Sequence, residues 1–176
     1  MHKDSGNINT KLIETKISKK TKAIIFVNLY GNLCNINHLK KIKKKYKNIT
    51  FIEDAAQSFG AKYKNFISCN TIDISCTSFF PTKNLACYGD GGAIFTNQKK
   101  KYEKLKMIRE HGQKRKYYHK IIGIGGRLDT IQASILLSKL KLFKKEIILR
   151  KYNYEYYKKI LFKINKKIEK KINLFK

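Results

Sequence analysis

The chain has 176 residues, 42% of them hydrophobic, so it is long enough to form one domain with a buried core. Forty lysines and arginines stand against 12 acidic residues, and the net charge is +28. The first residues are too polar for a secretory signal, and the apolar runs are too short to cross a bilayer. This composition argues against a disordered chain and a membrane span, and we expect a cytoplasmic protein.

The cysteines give no sign of a metal site. They are Cys34, Cys69, Cys76 and Cys87. None of them forms a C-x-x-C pair, and none has a histidine at a spacing typical of zinc sites. We therefore expect free thiols that are buried or half-buried, and no bound metal.

The positive charge is unevenly distributed along the chain. Residues 52–95 contain three lysines and four acids, whereas residues 141–176 contain 13 basic and three acidic residues. An isoelectric point near 10 is typical of nucleic-acid-binding proteins. However, 36 of the 40 basic residues are lysine, and arginine is the residue that suits bidentate phosphate and base contacts. We favour a solvated lysine surface, with a basic nucleic-acid-associated protein as the alternative.

The first half of the chain predicts a βαβ unit. Apolar runs at 22–31 and 49–56 are typical of buried parallel strands. Between them, Leu39, Ile42 and Tyr46 fall on one face of a helix. A strand, a helix and a second strand within about 34 residues form a βαβ unit.

A third strand is expected at 73–80, and it leads into a loop that contains Pro81 and Lys83. We interpret Asp90–Gly91 as a tight turn before a short strand at 93–97. A helix from about residue 99 should stop at Gly112. A longer helix should begin at Leu128 and reach the 150s. Its apolar side is expected to carry Leu128, Ile131, Ile135 and Leu142.

Three side chains near the ends of these strands could perform chemistry together. In open α/β sheets, ligands bind at the carboxyl ends of parallel strands, where Asp54 and Ser78 fall, with Lys83 just beyond. A lysine amine can attack a carbonyl, and a carboxylate can keep a pyridine nitrogen protonated, as a pyridoxal phosphate (PLP) site requires. From the residues alone, Asp54 could equally be a helix N-cap and Lys83 an ordinary loop lysine.

Four stretches occur in the order and at the distances of a known family: "IEDAAQSFGAKYK", "CTSFFPTKNLACYGDGGAIFTN", "REHGQKRKYYHKIIG" and "GRLDTIQASILLSKL". Together they closely resemble the DegT/StrS family of PLP-dependent nucleotide-sugar aminotransferases, over residues 7–157. The resemblance implies an α/β fold, the central part of the large domain of a fold type I (aspartate aminotransferase) PLP enzyme. That domain has a mostly parallel sheet with flanking helices.

The resemblance also implies roles for individual residues. Lys83 would be the catalytic lysine that holds PLP as a Schiff base, and Asp54 would face the pyridinium nitrogen. Gln57 would lie near the cofactor's phenolic oxygen, and Ser78 would bind its phosphate. In such a ping-pong transamination, an amino acid, usually glutamate, gives its amino group to the cofactor, and a keto nucleotide sugar then takes it. The motifs are most similar to those of enzymes that aminate a UDP-3-keto-N-acetyl-hexuronic acid for O-antigen and other surface polysaccharides.

The family pattern also differs from this chain in places. Residues 1–127 match a partial PLP-binding large domain, and residues 128–176 match the interdomain helix and a lysine-rich helical tail. The N-terminal cofactor-binding segment and the small C-terminal domain are not matched, so we expect a fragment that is weak or inactive alone, or a non-catalytic assembly subunit. Gly125 replaces an asparagine that reaches the phosphate of the partner in the family's homodimer, a loss of about 1–3 kcal/mol in phosphate binding.

Overall fold

A four-stranded sheet organises the protein. The computed structural model describes residues 1–3, 5–70 and 72–165. Strand β1 (Ala23–Val27), helix α1 (Ile36–Lys45) and strand β2 (Thr50–Asp54) form the predicted βαβ unit, which is confirmed. β1 and β2 are parallel, with Val27 opposite Asp54.

Two short antiparallel strands, β3 (Lys62–Tyr63) and β4 (Phe66–Ile67), follow β2 in the chain and form a separate two-stranded sheet. Strands β5 (Ile74–Ser78) and β6 (Gly92–Phe95) then complete the four-stranded sheet. The strand order is β1-β2-β5-β6, with β5 parallel to β2 and β6 antiparallel to β5. The sheet is therefore α/β and mostly parallel, as expected.

One face of the sheet is packed, and we call it the covered face. It carries Ile24, Phe26, Phe51, Glu53, Ser75 and Thr77. Phe26 and Phe51 form a core with Leu39 and Ile42 of α1, and all four side chains are almost completely buried. The apolar residues of α1 lie three residues apart, so one helical face can rest on the aromatic rings.

The opposite face is much less protected, and we call it the open face. It carries Ile25, Val27, Ile52, Asp54, Cys76, Ser78 and Ile94. Ile25 is 64% exposed and Ile94 is 56% exposed. The prediction that the first apolar run is a buried strand is therefore wrong for half of its side chains, because β1 lies at the edge of the sheet and only its alternate residues meet α1.

The second half of the described chain adds helices and a small hairpin. Helix α2 spans Lys99–Arg109, strands β7 (Gln113–Arg115) and β8 (Tyr118–His119) form the hairpin, and helix α3 spans Thr130–Asn165. α2 ends before the predicted stop, but Gly112 does adopt a left-handed φ of 77° and its N–H donates to the carbonyl of Met107. The predicted tight turn at Asp90–Gly91 is instead a series of bends without a turn hydrogen bond.

Helix α3 presents a different apolar stripe from the one that its sequence predicted. Leu136 and Phe143 are buried, and Leu128 and Ile147 pack with them. By contrast, Ile131 is 74% exposed and Leu142 is 58% exposed, so these two assignments are wrong. Because α3 has apolar residues on several sides, its periodicity did not define one stripe. The tail beyond residue 165 lies outside the described residues.

A buried carboxylate joins the sheet to both flanking helices. Asp73, just before β5, accepts a hydrogen bond from the Phe51 N–H and pairs with Lys43 of α1 (2.9 Å) and Lys101 of α2 (3.1 Å). Gln98 donates a further hydrogen bond to it. Burial by itself would raise the pKa of Asp73, but these donors outweigh burial and lower the pKa to about 2.

All four cysteines are free, as predicted. Cys34 and Cys87 are buried, while Cys69 and Cys76 are half-buried. Burial raises the pKa of Cys69 to about 12 and that of Cys34 to about 11, so both thiols stay protonated at neutral pH. No helix in the described part of the chain is long and apolar enough to cross a membrane.

Candidate functional site

Asp54 and Ser78 lie at neighbouring strand ends on the open face. Asp54 is the last residue of β2 and pairs with Cys76 of β5, and Ser78 follows two positions later on the same face. Asp54 Oδ1 accepts a hydrogen bond from the Ala56 N–H (3.0 Å). Among the described residues, Asp54 Oδ2 has no hydrogen-bond partner. The Ala56 contact is that of a local cap, and the second oxygen is left for solvent or a ligand.

Ser78 also uses only part of its hydrogen-bonding capacity within the protein. Its Oγ accepts a hydrogen bond from the Phe80 N–H (3.2 Å), so the hydroxyl proton remains available to donate. Both Asp54 and Ser78 are half-buried. The strand ends thus provide one acceptor and one donor on the same side of the sheet.

Lys83 lies at the tip of a loop that is closed at its base. The Phe79 N–H donates to the Gly91 carbonyl (2.7 Å), and the Cys87 N–H donates to the Phe79 carbonyl (2.8 Å). At the tip, the Lys83 N–H donates to the Phe80 carbonyl (2.9 Å). This four-residue turn has Pro81 at its second position, where the fixed φ of proline is favourable.

The base of this loop is packed against helix α3. Phe79 meets Phe59 edge to face at a centroid distance of 6.1 Å, and Phe59 meets Phe143 of α3 at 5.4 Å. Gly60 has a φ of +86°, and a Cβ there would lie 2.7 Å from the Phe143 ring. Glycine is therefore required at position 60 for α3 to pack this closely against the loop that follows β2.

An open cavity of about 1360 Å³ lies between the strand-end loops and α3. The site residues that line it are Gln57, Thr82, Lys83 and Asn84, while α3 contributes Phe143, Ile147 and Tyr154 among others. The Lys83 amine makes no hydrogen bond or ion pair within the described residues. The amine is therefore available to a ligand in the cavity.

Gln57 is held from the neighbouring loop. A single 3₁₀ turn, Leu29–Gly31, follows β1, and its Tyr30 N–H donates to Gln57 Oε1 (3.0 Å). Gln57 is exposed, and its amide nitrogen remains able to donate. Gln57 and Lys83 thus line the same cavity, whereas Asp54 and Ser78 lie on the open face and do not line it.

A buried carboxylate beside Asp54 was missed by the sequence interpretation. Glu53 is 0% exposed and accepts hydrogen bonds from Asn28 Nδ2 (2.6 Å), Ser68 Oγ (2.9 Å) and Ser75 Oγ (2.6 Å). The Cys69 N–H donates to the same carboxylate (3.2 Å). The signal was present in "TFIED", where Glu53 has the same alternation as Phe51 and so faces the core.

Gly125 lies directly beside the imidazole of His111. A Cβ at Gly125 would lie 2.8 Å from His111 Cε1, so a longer side chain there would require the ring to move. The loss of a phosphate contact at Gly125 stays a prediction. Among the described residues, no group of three or more His, Cys, Asp and Glu side chains could hold a metal ion.

The chain is similar to known proteins in sequence and in fold. The model of the DegT/DnrJ/EryC1/StrS aminotransferase family matches residues 1–173. A Pseudomonas aeruginosa protein, UDP-2-acetamido-2-deoxy-3-oxo-D-glucuronate aminotransferase, is 52% identical over 144 residues, which are 82% of this chain and 40% of that protein. The chain therefore spans less than half the length of this relative.

Solved structures of similar proteins have the same fold. A DegT DnrJ EryC1 StrS aminotransferase from Brucella abortus is 38% identical, with a TM-score of 0.77 over 86% of this chain and 44% of its own. NtdA from Bacillus subtilis, solved with bound cofactor PMP, is 31% identical, with a TM-score of 0.71 over 80% of this chain and 32% of its own. These are PLP-dependent aminotransferases with the same α/β fold. The chain belongs to the DegT/DnrJ/EryC1/StrS aminotransferase family.

Proposed function

We propose that this chain is the PLP-binding core of a nucleotide-sugar aminotransferase. The substrate would be a UDP-linked 3-keto-N-acetyl-hexuronic acid, the amino donor glutamate, and the product a building block of surface polysaccharide. The name of the 52% identical relative supports this substrate class. The observation that carries the proposal is the Lys83 amine, which makes no hydrogen bond or ion pair among the described residues and shares its cavity with Gln57.

The domain assignment and the assembly are part of the same proposal. Residues 1–127 would belong to the large domain, and residues 128–176 to the interdomain helix and tail. We further propose the homodimer that the family resemblance implies, and a cytoplasmic location. The exposed apolar residues of α3, such as Ile148 and Leu149, are consistent with further contacts of this helix in a larger assembly.

The side chains present fit the chemistry of PLP, a flat anionic ring with an aldehyde, a basic nitrogen and a phosphate. The bound cofactor would supply an electron sink that makes an amino-acid Cα–H bond acidic. Asp54 Oδ2 would hold a proton on a ring nitrogen by its negative charge. The Ser78 hydroxyl would donate to a phosphate oxygen, and the Gln57 amide would donate to a ring oxygen.

Lys83 has two tasks in this proposal. Its amine would bind the aldehyde covalently, and once released it would take the proton from the substrate α-carbon and deliver it to the carbon of the former aldehyde. The turn at residues 80–83 keeps the backbone of Lys83 fixed while its long side chain can move between these positions. The Phe59–Phe79–Phe143 contact holds the base of the loop against α3 and so keeps the tip at the cavity.

The test is to trap the Schiff base and locate it. The purified chain is mixed with PLP, reduced with borohydride, and digested for mass spectrometry. We expect the label on Lys83, and its loss in Lys83→Ala and Asp54→Asn. Lys62 lines the same cavity, so Lys62→Ala is the matched control and should keep the label on Lys83. Labels spread over the surface lysines, with none enriched at Lys83, would overturn the proposal.

A further inference from the structure

The Glu53 carboxylate connects to both ends of the segment that carries Asp54 and Gln57. At the start of this segment, Glu53 itself precedes Asp54 in β2. At its end, the hydroxyls of Ser58 and Ser68 lie 2.7 Å apart, and Ser68 Oγ donates to Glu53 Oε1. Since the single proton of Ser68 goes to Glu53, Ser58 donates to Ser68.

A second connection leads from Glu53 to Gln57 through the loop after β1. Asn28 donates its amide N–H to Glu53 Oε1, and its own Oδ1 accepts from the Cys34 N–H (2.8 Å). Asn28 directly precedes the turn and Cys34 follows it, so this hydrogen bond brackets the turn whose Tyr30 N–H donates to Gln57 Oε1. Both connections start at the buried carboxylate. The first ends at Ser58, the residue after Gln57, and the second ends at the Gln57 side chain itself.

We infer that Glu53 is a positioning residue for the cofactor site: through Ser68 and Ser58, and through Asn28, it fixes the relative placement of Asp54 and Gln57. The inference rests on the proposed function, because it is that function which makes Asp54 and Gln57 cofactor contacts. A carboxylate is suited to this role because it only accepts hydrogen bonds, and the side chains of Asn28, Ser68 and Ser75 all donate to it. An amide in its place would turn an NH₂ group toward other donors.

Two serines allow a matched test. Ser58 and Ser75 each place one buried hydroxyl in the Glu53 network, but only Ser58 leads to Gln57, while Ser75 belongs to β5. Ser58→Ala should weaken PLP binding about tenfold, the value of roughly one buried hydrogen bond, whereas Ser75→Ala should change it by no more than about twofold. PLP binding is measured by borohydride trapping at Lys83 as a function of PLP concentration.

Amide hydrogen exchange gives a readout that does not need the cofactor. The Tyr30 N–H, bonded to Gln57, and the Ala56 N–H, bonded to Asp54, should exchange faster in Ser58→Ala than in Ser75→Ala. Equal exchange at these amides, or equal PLP binding, in the two variants would overturn the inference. If the wild-type chain shows no trapping at Lys83, the proposed function fails, and the exchange data alone decide the role of Glu53.

A double variant that should restore PLP binding provides a second test of the inference. Glu53→Gln should lose PLP trapping at Lys83, because its amide faces donors. Adding Asn28→Asp supplies a carboxylate that can accept from the amide introduced at position 53 and from the Cys34 N–H, so trapping should recover by several fold in the double variant. A double variant that binds PLP no better than Glu53→Gln would contradict the pathway through Asn28. Circular dichroism of each variant checks that the fold is retained.

Discussion

The two faces of the sheet use the same strands for different purposes. On the covered face, Phe26 and Phe51 are sealed by α1, and Glu53 gathers donors from three further segments of the chain. On the open face, Ile25 and Ile94 remain mostly exposed. Neighbouring residues of one strand thus have opposite surroundings, because side chains alternate between the faces.

The covered face stabilises the fold, whereas the open face presents side chains that can contact a ligand. The covered face has both the aromatic core and a carboxylate whose hydrogen bonds are made within the protein. The open face has Asp54 and Ser78, each with bonding capacity left over for a ligand. A rigid face beneath a less protected one is a suitable base for a binding site, since the contacts of the covered face fix the strand ends from which the site residues project.

The largest expected effect comes from removing a ring on the covered face. Phe51→Ala should lower the free energy of unfolding by about 3–5 kcal/mol, because it leaves a cavity between the sheet and α1. Ile25→Ala, on the open face of the neighbouring strand, is the control and should cost less than about 1 kcal/mol. Urea unfolding followed by circular dichroism measures both. Similar losses in the two variants would show that the open face is as well packed as the covered one.

The ion pairs of Asp73 make the free energy of unfolding depend on pH. Its pKa is about 2 in the folded protein and about 3.8 ordinarily, so its ion pairs stabilise the fold fully above about pH 4. This contribution, about 2–3 kcal/mol, is lost as the pH falls through 4 toward 2. Asp73→Asn should remove that part of the pH dependence and lower stability at neutral pH. Unfolding curves at pH 7 and pH 3 test this, and an equal pH dependence in both proteins would contradict it.

The smallest effect on stability is expected on the open face. Ile25→Ser together with Ile94→Ser should change the free energy of unfolding by no more than about 1 kcal/mol. The same pair should reduce binding of a hydrophobic dye such as ANS, because both side chains are exposed. Fluorescence titration measures the dye, with Leu137→Ser on α3 as a comparison from another exposed apolar position. Unchanged dye binding would mean that this face is not an accessible apolar surface.

Local signals in the sequence were sufficient for much of the fold. The βαβ unit, the strand at 74–78 and the lysine loop follow from apolar runs, helical spacing and a single proline. The positions of Asp54 and Ser78 at strand ends followed from the same reasoning. By contrast, the sequence did not predict which side of α3 is buried, because apolar residues occur on several sides of the helix. The buried side is the one that packs against the loop that carries Lys83.

The sequence by itself determined the family, the order of the elements and the residues available for chemistry, because each of these depends on neighbours along the chain. Tertiary structure decided which half of β1 is buried, which residues of α3 meet Phe59, and which groups pair with Glu53. These outcomes depend on segments that are far apart in sequence, such as Asn28, Glu53 and Ser75. Alternation tells which side chains share a face, but only long-range packing decides which face is covered.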